Sequence, residues 1–160
     1  MSDRLATYLQ DHLAGATFGI NLLASLRDQY EGNSFSTTIA AVLQEVEEDR
    51  KTLQQLAEGI GGGEDALKDA TAWLAEKATR LKFRFGSDPD LGAFEALELM
   101  SLGILGKRAL WQALQQLAAH EPRLQSLDFP SLISRAESQY QRIGALRRAH
   151  ASRALMARGV

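Results

Sequence analysis

No proline occurs before Pro89, and the only others are Pro122 and Pro130. Proline fixes φ, removes a backbone donor and breaks a helix interior. Its scarcity leaves long stretches free to be helical, and all three prolines lie in segments with turn signals. Valine, isoleucine and threonine are sparse, alanine and leucine dominate, and no run alternates apolar with polar residues. The chain therefore reads as all-α.

Apolar periodicity predicts five helices. The first runs from about Asp3 to Asp28, with Ser2 as N-cap and a stripe of Leu5, Leu9, His12, Ala16, Gly19, Leu23 and Leu26. After a break at Glu31-Gly32-Asn33, Ser34 is placed to cap the second helix, whose stripe is Ile39, Val42, Val46, Asp49, Leu53, Leu56 and Ile60. Glycines at 59 and 61–63 stop it and supply a hinge. The third helix shows Leu67, Ala70, Leu74, Ala78, Leu81 and Phe85, with Arg80, Lys82 and Arg84 near the negative end of its dipole. Asp88-Pro89 opens the fourth, read as Leu91, Glu95, Glu98, Leu102, Leu105 and Ala109. Asp128-Phe129-Pro130 opens the fifth, with Leu132, Ala136, Tyr140 and Ile143 on one side. Short loops imply sequential antiparallel neighbours. Helices one and two, at about 1.5 Å per residue, reach roughly 35–40 Å, so an elongated bundle is expected.

A length of 160 residues suits one domain, and 45% apolar with 24% charged residues is ordinary for a soluble protein. A net charge of -2 draws in neither nucleic acid nor an anionic membrane. The absence of cysteine rules out disulfides, thiolate metal sites and a thiol nucleophile, and is compatible with the cytoplasm. No signal peptide is expected, because no basic region precedes an apolar run at the N-terminus. The most apolar stretch, Leu13 to Leu26, is interrupted by Thr17 and Asn21 and is too short and polar to span a bilayer.

Polar residues interrupt the apolar stripes. His12, Asp49 and Glu98 fall inside them, and Glu45 and Glu95 lie beside them. An unpartnered buried charge is expensive, so such residues are paired, protonated or metal-bound. Counting from the loops puts His12, Asp49, Glu98, Glu45 and Glu95 within a layer on the order of 10 Å thick, with Glu137 and Tyr140 slightly lower. Two readings follow. One is a carboxylate-rich site for iron or manganese, which accept oxygen ligands and imidazole. The other pairs the acids with arginines such as Arg142 or Arg147, or leaves them solvated at the rim.

The segments Asp11-His12-Leu13-Ala14-Gly15, Glu45-Val46-Glu47-Glu48-Asp49-Arg50 and Leu97-Glu98-Leu99-Met100-Ser101-Leu102-Gly103 resemble those of small bacterial ferritin-like proteins. The resemblance covers most of residues 1–160 as one domain. It implies a four-helix bundle in up-down-down-up order, with helix three as the crossover between pairs one–two and four–five, and a dimer as the assembly. Ferritin-like di-iron centres draw one Glu from each of two helices and Glu-x-x-His from each of the other two. Neither Glu-x-x-His occurs here: the corresponding stretches are Glu45-x-x-Glu48 and Glu137-x-x-Tyr140, and His12 stands where a glutamate belongs. His120 falls in the helix four–five connection and His150 near the end. Only Glu45, Glu98 and Glu137 match ligand glutamates. The resemblance thus implies a scaffold with a lost or altered metal centre and a non-catalytic role in interaction or stress physiology. The alternative is an iron- or manganese-binding bundle using His12, Glu45, Asp49, Glu95, Glu98 and Glu137.

Other motifs carry less. Gly61-Gly62-Gly63 before a helix could suggest phosphate binding, but Glu64 and Asp65 follow and would repel it. Arg142, Arg147, Arg148, Arg153 and Arg158 read either as a polyanion surface or as a helix lying against the acidic 45–49 segment. The small residues Gly15, Ala16, Gly19, Ser101, Gly103 and Gly106 either leave room for a ligand or let two backbones approach. Trp73 and Trp111 are expected as core or interface anchors. No arrangement supports Ser-His-Asp catalysis.

Overall fold

The computed structural model describes residues 4–61 and 67–156, with the side chains of residues 67–71, 73 and 83 outside the described set. Among the described residues there are five long helices and no strand. They are α1 (Arg4–Gln29), α2 (Ser34–Ile60), α3 (Leu67–Ser87), α4 (Pro89–Leu117) and α5 (Phe129–Leu155), with a 3-10 turn at Pro122–Leu124 before α5. No helix among these residues is long and apolar enough to cross a membrane.

The termini follow local chemistry. Asp88 accepts a hydrogen bond from the Leu91 amide at 3.2 Å, and Asp128 one from the Ser131 amide at 3.2 Å, each just before a helix with proline in its first turn. Gly61, at φ 83°, takes the left-handed conformation that ends α2, where a Cβ would be strained. The α2 cap is Asn33 rather than Ser34: Asn33 has extended backbone and accepts from the Phe35 amide at 3.0 Å, while Ser34 is already helical. Ser2, Gly62, Gly63, Trp73 as a side chain, and Arg158 lie outside the description.

Two apolar clusters fill the interior. At one end Leu22, Leu23 and Leu26 of α1 meet Ile39 and Val42 of α2, Leu97 and Met100 of α4, and Ile143 and Leu146 of α5. At the other, Leu9 and Leu13 meet Leu53 and Leu56, Leu110, Trp111 and Leu114, and Phe129 and Leu132. The start of α1 thus lies beside the end of α2, the end of α4 and the start of α5. Helices α1 and α5 run one way, and α2 and α4 the other. Helix α1 packs against α2 and α4, and α5 against the same two. Every neighbour in the square is therefore antiparallel, which sets opposite dipole ends side by side. Helix α3 carries the chain back along the bundle, packing on α1 and α4.

Helix α2 buries the stripe expected of it: Ile39, Val42, Val46, Asp49, Leu53, Leu56 and Ile60. Helix α4 does not. Its buried face is Ala93, Ala96, Leu97, Met100, Ile104, Leu110, Trp111 and Leu114. Leu102 is 60% exposed, and Glu98 is exposed rather than inside a stripe. Helix α4 is apolar over so much of its circumference that periodicity fits more than one rotation about its axis. Packing against α1, α3 and α5 selects the rotation.

Candidate functional site

The middle of the bundle holds two unlike seams. Along the α2/α5 seam, Asp49 is 2% exposed and sits in the oil, as its place in the α2 stripe requires. Lys107 of α4 donates to its Oδ2 at 2.5 Å, and Arg135 of α5 donates to its Oδ1. Gln139, fully buried, links the group: its amide nitrogen donates to Glu45 at 3.1 Å and to Asp49 at 3.2 Å, and its oxygen accepts from Lys107. Arg142 closes the row on Glu45 at 2.6 Å, and Arg135 reaches Glu48 at 3.2 Å. Three acids thus face three cations, and the buried Asp49 carboxylate is held by Lys107 and Arg135, although the Arg135 Nε has no partner of its own among the described residues.

Burial would raise the Glu45 carboxyl, but hydrogen bonds from Arg142 and Gln139 outweigh it and hold the group below its ordinary value. Burial pulls the Lys107 ammonium down, and the charge and hydrogen bond of Asp49 only partly restore it.

The remaining acids of the expected layer are dispersed. Glu95 pairs with Arg84 of α3 at 3.2 Å, Glu98 with Arg147 of α5, and Glu137 with Arg108 of α4. His12 lies on the α1 side, edge-on to Tyr8 at 4.8 Å between ring centroids, and burial lowers its basicity although Asp11 acts against this. Glu45 and Asp49 are thus brought together, Glu95, Glu98 and Glu137 stand elsewhere in separate ion pairs, and His12 lines a cleft that Asp49 also borders without joining the ion-pair group. Among the described residues no group of three or more His, Asp or Glu side chains is placed to share a metal ion. The arginines of α5 lie against acids, with Arg142 on Glu45, Arg147 on Glu98 and Arg153 on Asp90. Of these only Arg142 reaches the acidic 45–49 segment, joined there by Arg135 on Glu48 and Asp49, whereas Arg147 and Arg153 lie on acids of α4.

The second seam, between α1 and α4 with α2 as its floor, is open. A cleft of about 240 Å³ lies there. Gly15 and Gly19 line it from α1, Gly103 and Gly106 from α4, with Met100, Ile104, Leu53 and Trp111 as apolar walls. A Cβ built on Gly15, Gly103 or Gly106 would meet nothing within 4 Å, so these glycines do not serve backbone contact; they leave space. His12 and Arg50 border the cleft, and Asp49 and Lys107 form its polar side. Trp111 is fully buried, and its indole N–H has no hydrogen-bond partner.

A third polar group closes the end of the bundle where α1 turns into α2. The Tyr30 hydroxyl lies 2.8 Å from Nε2 of His150, which is 3.8 Å from Asp90; Phe35 packs edge-on against Tyr30. Burial and the neighbouring Asp90 push the Tyr30 hydroxyl up to about 12, against a smaller opposing effect of Arg153. Burial lowers the His150 imidazole more than Asp90 raises it, and Arg153 lowers it further.

Sequence reasoning missed Lys107, Arg135 and Gln139, the three residues that complete Asp49. Gln139 offered a signal, since it falls between Ala136 and Ile143 on the buried face of α5. Lys107 offered none, because long side chains reach inward from positions that periodicity assigns to the flank. Searches for relatives found no protein-family model, no curated protein and no solved structure that matches this chain.

Proposed function

We propose that this chain is a non-catalytic ferritin-like bundle that binds a small apolar molecule in the α1/α4 cleft. Two antiparallel pairs joined by a returning helix support the ferritin-like reading. In that reading the central layer, which carries carboxylates and histidines for metals in di-iron bundles, is here a seam of ion pairs. The observation that carries the proposal is the position of Lys107: its ammonium lies 2.5 Å from Asp49 Oδ2, so a cation already holds the buried carboxylate beside an apolar cleft. A metal ion at Asp49 would have to displace that ammonium and the Arg135 guanidinium together. The cleft itself has what small-molecule sites commonly have, apolar walls with few polar groups.

The test is elemental analysis of protein purified without a histidine tag, followed by thermal melts with Fe(II), Mn(II) and Zn(II), and with 1-octanol as a neutral apolar probe. The expected result is no stoichiometric metal, no metal-induced rise in melting temperature, and a rise with octanol, by mass action on the folded state. Stoichiometric iron or manganese that survives dialysis and disappears in a His12→Ala, Glu98→Ala double variant would overturn the proposal. The alternative, a metal-binding carboxylate bundle, would then stand. Sedimentation of the same preparation checks the expected dimer.

A further inference from the structure

We propose that the ligand of the α1/α4 cleft is a small amphipathic carboxylate, its apolar body between the glycine faces and its head on Arg50. This rests on the reading of the cleft as a binding site and adds the chemical class of the occupant.

Size sets the first limit. An apolar cavity of roughly 150 Å³ accepts a benzene ring. A cleft of about 240 Å³ therefore has room for a ring with a short chain, or for a chain of comparable bulk. Chemistry sets the second. The walls are glycine backbone faces and the side chains of Leu53, Met100 and Ile104, which suit an apolar body.

Charge sets the third limit. Arg50 lines the cleft from α2, where its Nε donates to Thr17 Oγ1 and its Nη1 to Gln54 Oε1, both at 3.1 Å. No carboxylate among the described residues pairs with it, in contrast to Arg135 on Asp49 and Arg142 on Glu45 in the other seam. Its two donor bonds go to neutral oxygens, which leaves Nη2 of the planar fork open to a carboxylate, the partner that this geometry fits. Asp11, the acid at the cleft mouth, is on α1 six residues before Thr17, roughly 9 Å along the helix, so it does not occupy the same place.

Trp111 lines the cleft as well; it is fully buried, and its indole N–H has no acceptor among the described residues.

The experiment is calorimetric titration of the full chain with octanoate, 4-phenylbutyrate, 1-octanol and octylamine, paired with thermal melts. Octanoate and 4-phenylbutyrate are expected to bind one per chain, octanol about tenfold more weakly, and octylamine more weakly still. Arg50→Gln is expected to weaken octanoate about tenfold and leave octanol unchanged. Gly106→Leu, whose new side chain starts in open space, is expected to abolish binding of both without lowering the melting temperature. Equal affinity for octanol and octanoate, or an Arg50→Gln variant with unaltered octanoate binding, would reject the carboxylate class while leaving the cleft as an apolar site. Failure of all four probes, or undiminished binding in Gly106→Leu, would reject the cleft itself.

Discussion

The α2/α5 and α1/α4 seams join the same two antiparallel pairs at the same level of one bundle, yet they are built by opposite means. The first is crowded with long polar side chains: Glu45, Asp49, Lys107, Arg135, Gln139 and Arg142 interlock with almost every polar atom engaged. The second is bare around Gly15, Gly103 and Gly106, where a Cβ would meet nothing within 4 Å, and only Gly19 is approached, by the Met100 side chain. A buried ion-pair network tolerates one arrangement only, because a shift of a turn would leave charges unpaired in oil. A glycine-lined seam tolerates an occupant. The polar seam holds two helices in register, and the bare seam beside it keeps a space of defined shape.

Breaking the polar seam should have the largest effect. Asp49→Ala leaves the buried Lys107 without a carboxylate and Arg135 with Glu48 alone, and is expected to destabilise the fold by about 3–5 kcal/mol. Urea denaturation measures this, and a loss below about 1 kcal/mol would mean that the network is hydrated and does not set the register. The opposite change on the bare seam should be mild and favourable. Gly106→Ala places a methyl group where nothing lies within 4 Å and removes a helix glycine, so stability should rise by about 0.5–1 kcal/mol. A loss there would show that the backbones close on that glycine in solution.

The polar group at the end of the bundle makes a separate test, through pH. His150 has its basicity lowered from an ordinary value of 6.5 by burial, and His12 shifts in the same direction. Below that ordinary value the unfolded chain takes up protons that the folded imidazoles resist, so stability is full above 6.5 and falls as pH drops below it. Glu45, held below its ordinary 4.5, adds its loss only in more acidic solution. Denaturation midpoints at several pH values between neutral and mildly acidic should therefore decline, and His150→Gln should flatten part of the decline. An unchanged slope in that variant would place the titrating group elsewhere. The smallest effect belongs to the exposed rim. Arg147→Gln breaks the pair with Glu98 and the contact over the Phe94 ring, 4.7 Å from its centroid, and should cost no more than about 1 kcal/mol.

Much of this was legible in residue order, and the rest was not, for identifiable reasons. The caps at Asp88 and Asp128 and the stop at Gly61 are local, so the residues that make them sit within a few positions of one another. The α2 stripe was legible because only one face of that helix is apolar, and Asp49 was found inside it for the same reason. Helix α4 was misread because it is apolar on several faces, and Glu98 moved from the interior to the surface once its neighbours selected a rotation. The grouping of acids into one layer rested on height alone. Height along a bundle is countable from loops, but the angle around each helix axis is not, and angle decides whether two side chains meet.

By itself the sequence determined that this chain is helical, that Asp88 and Asp128 open two of the helices and Gly61 ends another, and that an acid is buried mid-bundle. These follow from backbone chemistry, from the placement of three prolines and from a period of 3.6 residues. Only the tertiary structure decided that Asp49 is held by Lys107, 58 residues away, and by Arg135, 86 residues away. Only it decided that the glycines of α1 and α4 face each other across a gap instead of in contact. The physical reason is common to both: a side chain's partner, or its lack of one, depends on the rotation and spacing of whole helices, and those are set by all the contacts of the core at once.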